Sequence, residues 1–299
     1  MCNGETVDYQ QGIKQPIRSI GLTAAVHKPR ALESVCRLTD ELTARGVPFV
    51  VNETVGQLCD RQFTQAPLSE CARQDLVIVL GGDGGILAAA REAAPLGTPI
   101  LGVDLGSFGF LAAEDPDYLM GDLDNLLAGR FGIENHVMLR VGVGDADTWA
   151  LNDAVISKNL HGRMIRLRTL VDGDHIATFP ADGLIVATAT GSTAYNLSAG
   201  GPIVDSRMGA MVLTPICPHT LYSRPLILPA EVEVTLTVEA DGKEAEGALL
   251  LIDGQESSFL TPGQPVSIRR APRDAQLVRL GKFRFYDRLR EKLRWGAER

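Results

Sequence analysis

Residues 75–80, DLVIVL, form an unbroken apolar run, whereas residues 232–238, VEVTLTV, alternate strictly between apolar and polar. The first texture suits a strand covered on both faces, the second a strand with one wet face. Around the first run, strand and helix signals take turns. RSIGLTAAV (18–26), VPFVV (47–51) and TPILGVD (98–104) read as strands. RALESVCRLTDELTARG (30–46) puts Leu32, Val35, Leu38 and Leu42 on one helical face, with Gly46 as a C-terminal stop. GILAAAREAAP (85–95) is helical up to Pro95, and DPDYLMGDLDNLLAGR (115–130) keeps Leu119, Leu123 and Leu126 in phase. This alternation predicts an α/β fold with a doubly wound, Rossmann-like parallel sheet.

After about residue 131 the pattern changes. MIRLRTLVDGDHIATF (164–179) is two strand-like runs around Asp172-Gly173, a hairpin signal. The segment 231–254 places Val232, Val234, Leu236 and Val238 on one face, and QPVSIRRA (264–271) continues in kind. This half reads as an all-β sandwich. FRFYDRLREKLRWG (283–296) returns to a helical pattern, and the linker signal near 131–135 is weak.

The length of 299 residues agrees with two domains. No apolar run approaches the ~20 residues of a membrane helix. MCNGETVDYQQGIKQP at the start has no signal-peptide pattern, so a cytoplasmic setting is expected. A net charge of −8 excludes a general binder of nucleic acid or anionic membrane. It does not exclude anionic substrates, which backbone N–H groups or a metal ion can hold. The five cysteines (Cys2, Cys36, Cys59, Cys71, Cys217) are scattered and read as reduced thiols. The five histidines show no zinc-ligand spacing.

Chemistry concentrates in three segments. LVIVLGGDGGILAAAREA (76–93) runs from an apolar strand through glycines into a helix, the usual geometry for holding phosphate. It is not a Walker A loop, because no Lys-Ser/Thr follows, and Leu87 stands where GxGxxG needs its third glycine. Asp83 beside an anion site must bind a cation or take a proton, which points to phosphoryl transfer. The plainer alternative is a tight left-handed turn with Asp83 as a helix cap. DGLIVATATGSTAYNLSAGGPIV (182–204) offers Thr190, Gly191, Ser192, Thr193 and Tyr195 as a loop around a polar ligand, or simply a Ser/Thr-rich turn. ALNDAVISK (150–158) sets Asn152 and Asp153 within an apolar strand, so at least one is buried and needs a partner. Ribose hydroxyls or an internal hydrogen bond would serve equally.

Together these segments resemble the NAD kinase family. LGGDGG (80–85) is similar to its GGDG loop and GVDLGSFGFL (102–111) to its second glycine loop. LNDAVISK, DGLIVATATGSTAYNLSAGGPI, PICPHTLYSRPLIL (215–228), IDGQ (252–255) and FYDRLREKLRWG follow in family order. The resemblance implies transfer of the γ-phosphoryl group of ATP, or of polyphosphate, to the 2′-hydroxyl of NAD's adenosine ribose, with Mg²⁺ or another divalent cation. It implies an α/β domain over 1–131, rejoined by 276–299, and a β-sandwich dinucleotide-binding domain over 132–275. It also implies a homodimer or homotetramer. By position, Asp83 is the base, and Gly82, Gly84 and Gly85 form the donor phosphate loop. Phe110 and Asp182 lie at the nicotinamide end. Asn152 and Asp153 hold the adenosine ribose or adenine. Thr190, Thr193, Ala194, Tyr195 and Ser198 surround the adenine-bearing half, with Gln255 a further contact. Two positions depart from the family pattern: Gly85 replaces the usual Thr, removing a phosphate-facing hydroxyl, and Asp104 replaces Asn. Asp83 and Asp104 are therefore candidates to share a metal. The rival readings are a dinucleotide-binding sensor without phosphoryl transfer and a lipid kinase with a similar glycine loop.

Overall fold

The computed structural model describes residues 15–28, 30–59, 61–106, 109–112, 114–159, 163–240, 247–281 and 285–295. Cys2 and the rest of the N-terminal stretch, Ser107-Phe108 of the second glycine loop, 241–246 within the alternating segment, and the ends of the tail motif lie outside the described residues. The chain divides into two compact units, Met1–Asn135 with Ala275–Arg299, and His136–Asp274.

The first unit alternates strand and helix: β1 (Ile20–Ala24), α1 (Ala31–Ala44), β2 (Phe49–Asn52), α2 (Glu53–Gly56), β3 (Gln65–Ala66), α3 (Leu68–Cys71), β4 (Leu76–Gly81), α4 (Asp83–Ala93), β5 (Ile100–Asp104), α5 (Pro116–Leu127) and β6 (Gly132–His136). All of β4 is buried, as its apolar run demands. Val35, Leu38 and Leu42 of α1 are buried at helical spacing, and Gly46 at φ 67° lets the chain turn away. Asp115 caps α5 through the Asp117 N–H at 2.8 Å, with Pro116 in the first turn. Residues 132–136, read above as weak linker, are strand β6 at the sheet edge. The seven strands run β3-β2-β1-β4-β5-β19-β6, where β19 is the returning strand Ala275–Arg279. The pairings from β3 through to β19 are parallel. Strand order reverses between β1 and β4, so the loops leaving those two strands flank the crevice where such sheets hold ligands.

The second unit holds β7 (Leu139–Val143), β8 (Ala146–Ala150), β9 (Asp153–Lys158), β10 (Ile165–Val171), β11 (Asp174–Ala181), β12 (Gly183–Thr188), α6 (Tyr195–Ser198), β13 (Ala210–Ile216), β14 (Leu226–Pro229), β15 (Val234–Val238), β16 (Ala248–Ile252), β17 (Glu256–Leu260) and β18 (Pro265–Arg270). They form two six-stranded sheets, β11-β10-β15-β18-β7-β8 and β14-β13-β12-β9-β16-β17, antiparallel throughout. Inward residues of both sheets, among them Leu139, Val141, Ile156, Val186, Leu236 and Ile268, make one core. Val234, Leu236 and Val238 point inward from β15, while Val232 lies just before it and is half-buried. Asp172 (φ 50°) and Gly173 (φ 86°) make the β10–β11 turn, whose positive φ angles match strand twist. After β18 the chain returns to the first unit, where Leu277 of β19 pairs with Ile100. The described chain ends with helix α7 (Phe285–Leu293). No helix among the described residues is long and apolar enough to cross a membrane.

Candidate active site

The chain passes from β4 to α4 through Gly82, which is extended (φ −146°, ψ −172°). None of the glycines at 81, 82, 84 and 85 has a positive φ, so the loop is not a left-handed turn. Nor does Asp83 act as a cap. Its Oδ2 accepts the Phe110 N–H at 2.8 Å, and its Oδ1 accepts those of Leu111 at 3.0 Å and Ala112 at 3.2 Å. A carboxylate has about four acceptor positions, so one, on Oδ2, is left for a hydroxyl. Such closeness requires glycine at 109, since a Cβ there would stand 1.9 Å from Asp83 Oδ1. Gly109 is buried, whereas Asp83 and Phe110 are half-buried.

The β1–α1 loop meets the end of β4 at the switch point. The Ala25 N–H bonds Leu80 O at 2.9 Å, and Lys28 Nζ donates to Gly81 O at 3.3 Å. Sequence reasoning missed Lys28, because only the strand order brings residues 28 and 81 together. Asp104 pairs in register with Gly81 on the neighbouring strand, and its Oδ1 accepts the Gly106 N–H at 2.9 Å. A Cβ at Gly85 would meet a Val79 methyl at 2.8 Å and nothing else within 4 Å. The first atom of a side chain there therefore points at the sheet.

In the second unit Asp153 opens β9 and is 4% exposed, whereas Asn152 is half-buried. Asp253, which sequence reasoning passed over in favour of Gln255, fixes both. Its Oδ1 accepts the N–H groups of Asn152 at 2.7 Å and Asp153 at 3.1 Å, and its Oδ2 that of Leu151 at 3.1 Å. The only hint was an aspartate directly after the apolar run of β16. Burial, and then the nearby Asp253 charge, push the Asp153 carboxyl up to about 7. Its ordinary value is 3.8, so the folded protein binds this proton more tightly than the unfolded chain does. The group's stabilising contribution is full below about pH 4 and is lost as pH rises through about 7. Asp153→Asn is therefore expected to raise the melting temperature at pH 8 by several degrees over the parent, and by much less at pH 5, in thermal unfolding scans.

β12 leads into a 3-10 turn, Thr190–Thr193, and then α6. Thr188 ties this loop to Asn152: its Oγ1 donates to Leu151 O at 2.6 Å and accepts the Gly191 N–H at 3.0 Å, and its N–H bonds Asn152 O at 2.8 Å. A Cβ at Gly191 would lie 2.0 Å from Asn152 O, so only glycine fits. Thr190 is buried, with its Oγ1 2.8 Å from His136 Nδ1. Ser192 and Asn196 are wholly internal. Ser192 exchanges hydrogen bonds with the Val204 backbone, and Asn196 donates to Ser192 O and Pro202 O and accepts from Thr214. These bonds leave Thr193 and Ala194 half-exposed and Tyr195 and Ser198 exposed. Asp182 pairs with Lys158 Nζ at 2.7 Å, and Gln255 is exposed.

Residues 20–131 match the family of the ATP-NAD kinase N-terminal domain, and residues 151–280 that of the ATP-NAD kinase C-terminal domain. The NAD kinase of Moorella thermoacetica is 42% identical over 287 residues, covering 95% of this chain and 91% of that one. The chain belongs to the NAD kinase family. The NAD kinase of Heliobacterium modesticaldum is 41% identical over 285 residues, covering 93% of this chain and 99% of its own. Among solved structures, yeast NADH kinase complexed with NADH superposes with a TM-score of 0.85 at 24% identity, covering 96% of this chain and 90% of that one. The NAD kinase from Archaeoglobus fulgidus in complex with ATP gives 0.71 at 23% identity, covering 92% and 97%. These two likenesses show the shared fold. As a member of the NAD kinase family the chain is a phosphotransferase that forms NADP from NAD.

Proposed function

We propose that ATP is the donor, that its phosphates lie over Gly82, Gly84 and Gly85 at the start of α4, and that Asp83 is the general base. The 2′-hydroxyl of the adenosine ribose donates its proton to Asp83 Oδ2 as its oxygen attacks the γ-phosphorus. The bond from that phosphorus to the β–γ bridging oxygen breaks, and ADP departs with the electron pair. A ribose hydroxyl is a poor nucleophile at neutral pH, and a positioned acceptor for its proton contributes about 10²–10⁴-fold. One observation carries this reading: a carboxylate held by three backbone N–H groups, with one acceptor position left, at the switch point of the sheet.

Asn152 and Asp153 are assigned to the ribose hydroxyls, and the exposed Tyr195 and Ser198 to the adenine-bearing half. Phe110, Asp182, Thr193, Ala194 and Gln255 are the remaining dinucleotide contacts, and Thr190 shapes their loop from within. A divalent cation supplies charge neutralisation when bound with the donor's phosphates. Among the described residues no group of three or more His, Cys, Asp or Glu forms a metal cage. An ion shared by Asp83 and Asp104 would compete with the N–H bonds Asp83 already accepts. No step here runs through a metal.

Lys28 is assigned to the donor's phosphates, because its ammonium already sits against the phosphate loop. Purified protein given NAD and a divalent cation should form NADP with ATP and not with polyphosphate. Lys28→Met should raise the KM for ATP about tenfold with the KM for NAD unchanged. NADP formation from polyphosphate with none from ATP would remove ATP as donor, and an unchanged KM for ATP would remove Lys28.

A further inference from the structure

We infer that the returning C-terminal segment braces the catalytic loop, with Arg288 of α7 and Arg279 of β19 as positioning residues for phosphoryl transfer. The inference rests on Asp83 being the base. The loop 109–112 turns its N–H groups toward Asp83, and its carbonyls face the two arginines. Arg288 Nη1 donates to Gly109 O at 3.1 Å, and Arg279 Nη1 donates to Leu111 O at 3.0 Å.

Those carbonyls belong to the same peptide groups that reach Asp83. The C=O of Gly109 and the N–H of Phe110 are two ends of one planar trans unit, as are the C=O of Leu111 and the N–H of Ala112. Each of these two peptides lies between a guanidinium and the Asp83 carboxylate, which polarises it in the direction that strengthens both bonds. The arginines thus act on Asp83 through the backbone, without touching it.

Their own placement is firm. Arg279 is 3% exposed and grips Glu134 Oε2 through Nε at 2.9 Å and Nη2 at 2.8 Å. In α7, Leu289 is the buried side chain among the described residues, so the helix contributes little to the core. Arg288 and Lys292 face the loop instead, while Arg290 pairs with Asp287. Lys292, one turn beyond Arg288, places Nζ 4.4 Å from the centre of the Phe110 ring. Two successive loop residues are thereby held by one helix face.

The test is Arg288→Gln and Arg288→Lys in the full chain, beside Asp83→Asn. Arg288→Gln should lower kcat at least about tenfold with the KM for ATP within about twofold, since the donor's phosphates are assigned to Gly82, Gly84 and Gly85 and not to this loop. Its melting temperature should stay near the parent's, because Arg288 lies on a surface helix. Arg288→Lys keeps a donor for Gly109 O and should recover kcat to within about threefold of the parent. Amide exchange at Phe110, Leu111 and Ala112 should quicken in Arg288→Gln and return toward the parent rate in Arg288→Lys. A kcat within about twofold of the parent, unchanged exchange at those amides, or a loss that lysine does not repair would each overturn the brace. Should Asp83→Asn keep parental activity, the base assignment fails first. An inactive Asp83→Asn with an unaffected Arg288→Gln removes the brace alone.

Discussion

Replacing Asp83 with asparagine is expected to lower kcat for NADP formation by about 10²–10⁴-fold. The amide matches the carboxylate in shape, but its nitrogen accepts nothing. Three N–H groups now converge on the two carboxylate oxygens. In the variant, either Phe110 or the Leu111–Ala112 pair faces an NH₂ group that cannot accept its hydrogen bond. The proton acceptor and part of the clamp go together. Steady-state kinetics with NAD and ATP, alongside thermal unfolding, separate this from a loss of fold. Activity within about tenfold of the parent would remove Asp83 from the base role.

The second large effect is expected from Gly109→Ala, which leaves every charged group in place. The added methyl would stand 1.9 Å from Asp83 Oδ1, closer than non-bonded atoms approach. Either the carboxylate or the loop must move by about an ångström, a displacement that costs about 10²-fold where geometry sets the rate. The chain should still fold, because the strain falls on the 109–112 loop, whose residues lie outside the apolar core cluster of the first unit. Kinetics and a melting curve on the same preparation check this. Parental kcat in a folded Gly109→Ala would show that Asp83 needs no such clamp.

The fold was largely legible because its signals are local. The continuous apolar run of β4 and the in-phase leucines of α5 are consequences of burial on two faces and on one. The Asp172-Gly173 turn needs positive φ angles, which those residue types supply. Strand β6 was not legible: GIENH lies at a sheet edge and carries no apolar alternation, so it looked like a linker. The glycine loop announced a bare backbone, but not that Asp83 would spend its oxygens on residues 110–112. Asp253, Lys28, Arg279 and Arg288 escaped notice for one shared reason. Each acts on a backbone group far away in sequence, and a bond to a carbonyl or N–H leaves no mark on the residue type at the other end. Gly85 lacks the hydroxyl that Thr would bring, and a Cβ there heads toward Val79. Its effect on donor binding then depends on how a longer side chain bends away from the sheet.

The most direct measurement is a structure of the chain with NAD bound. The account predicts the adenosine 2′-oxygen about 2.6–3.2 Å from Asp83 Oδ2, with the Phe110, Leu111 and Ala112 N–H bonds intact. A 2′-oxygen well beyond that reach, with no water linking it to the carboxylate, would contradict it.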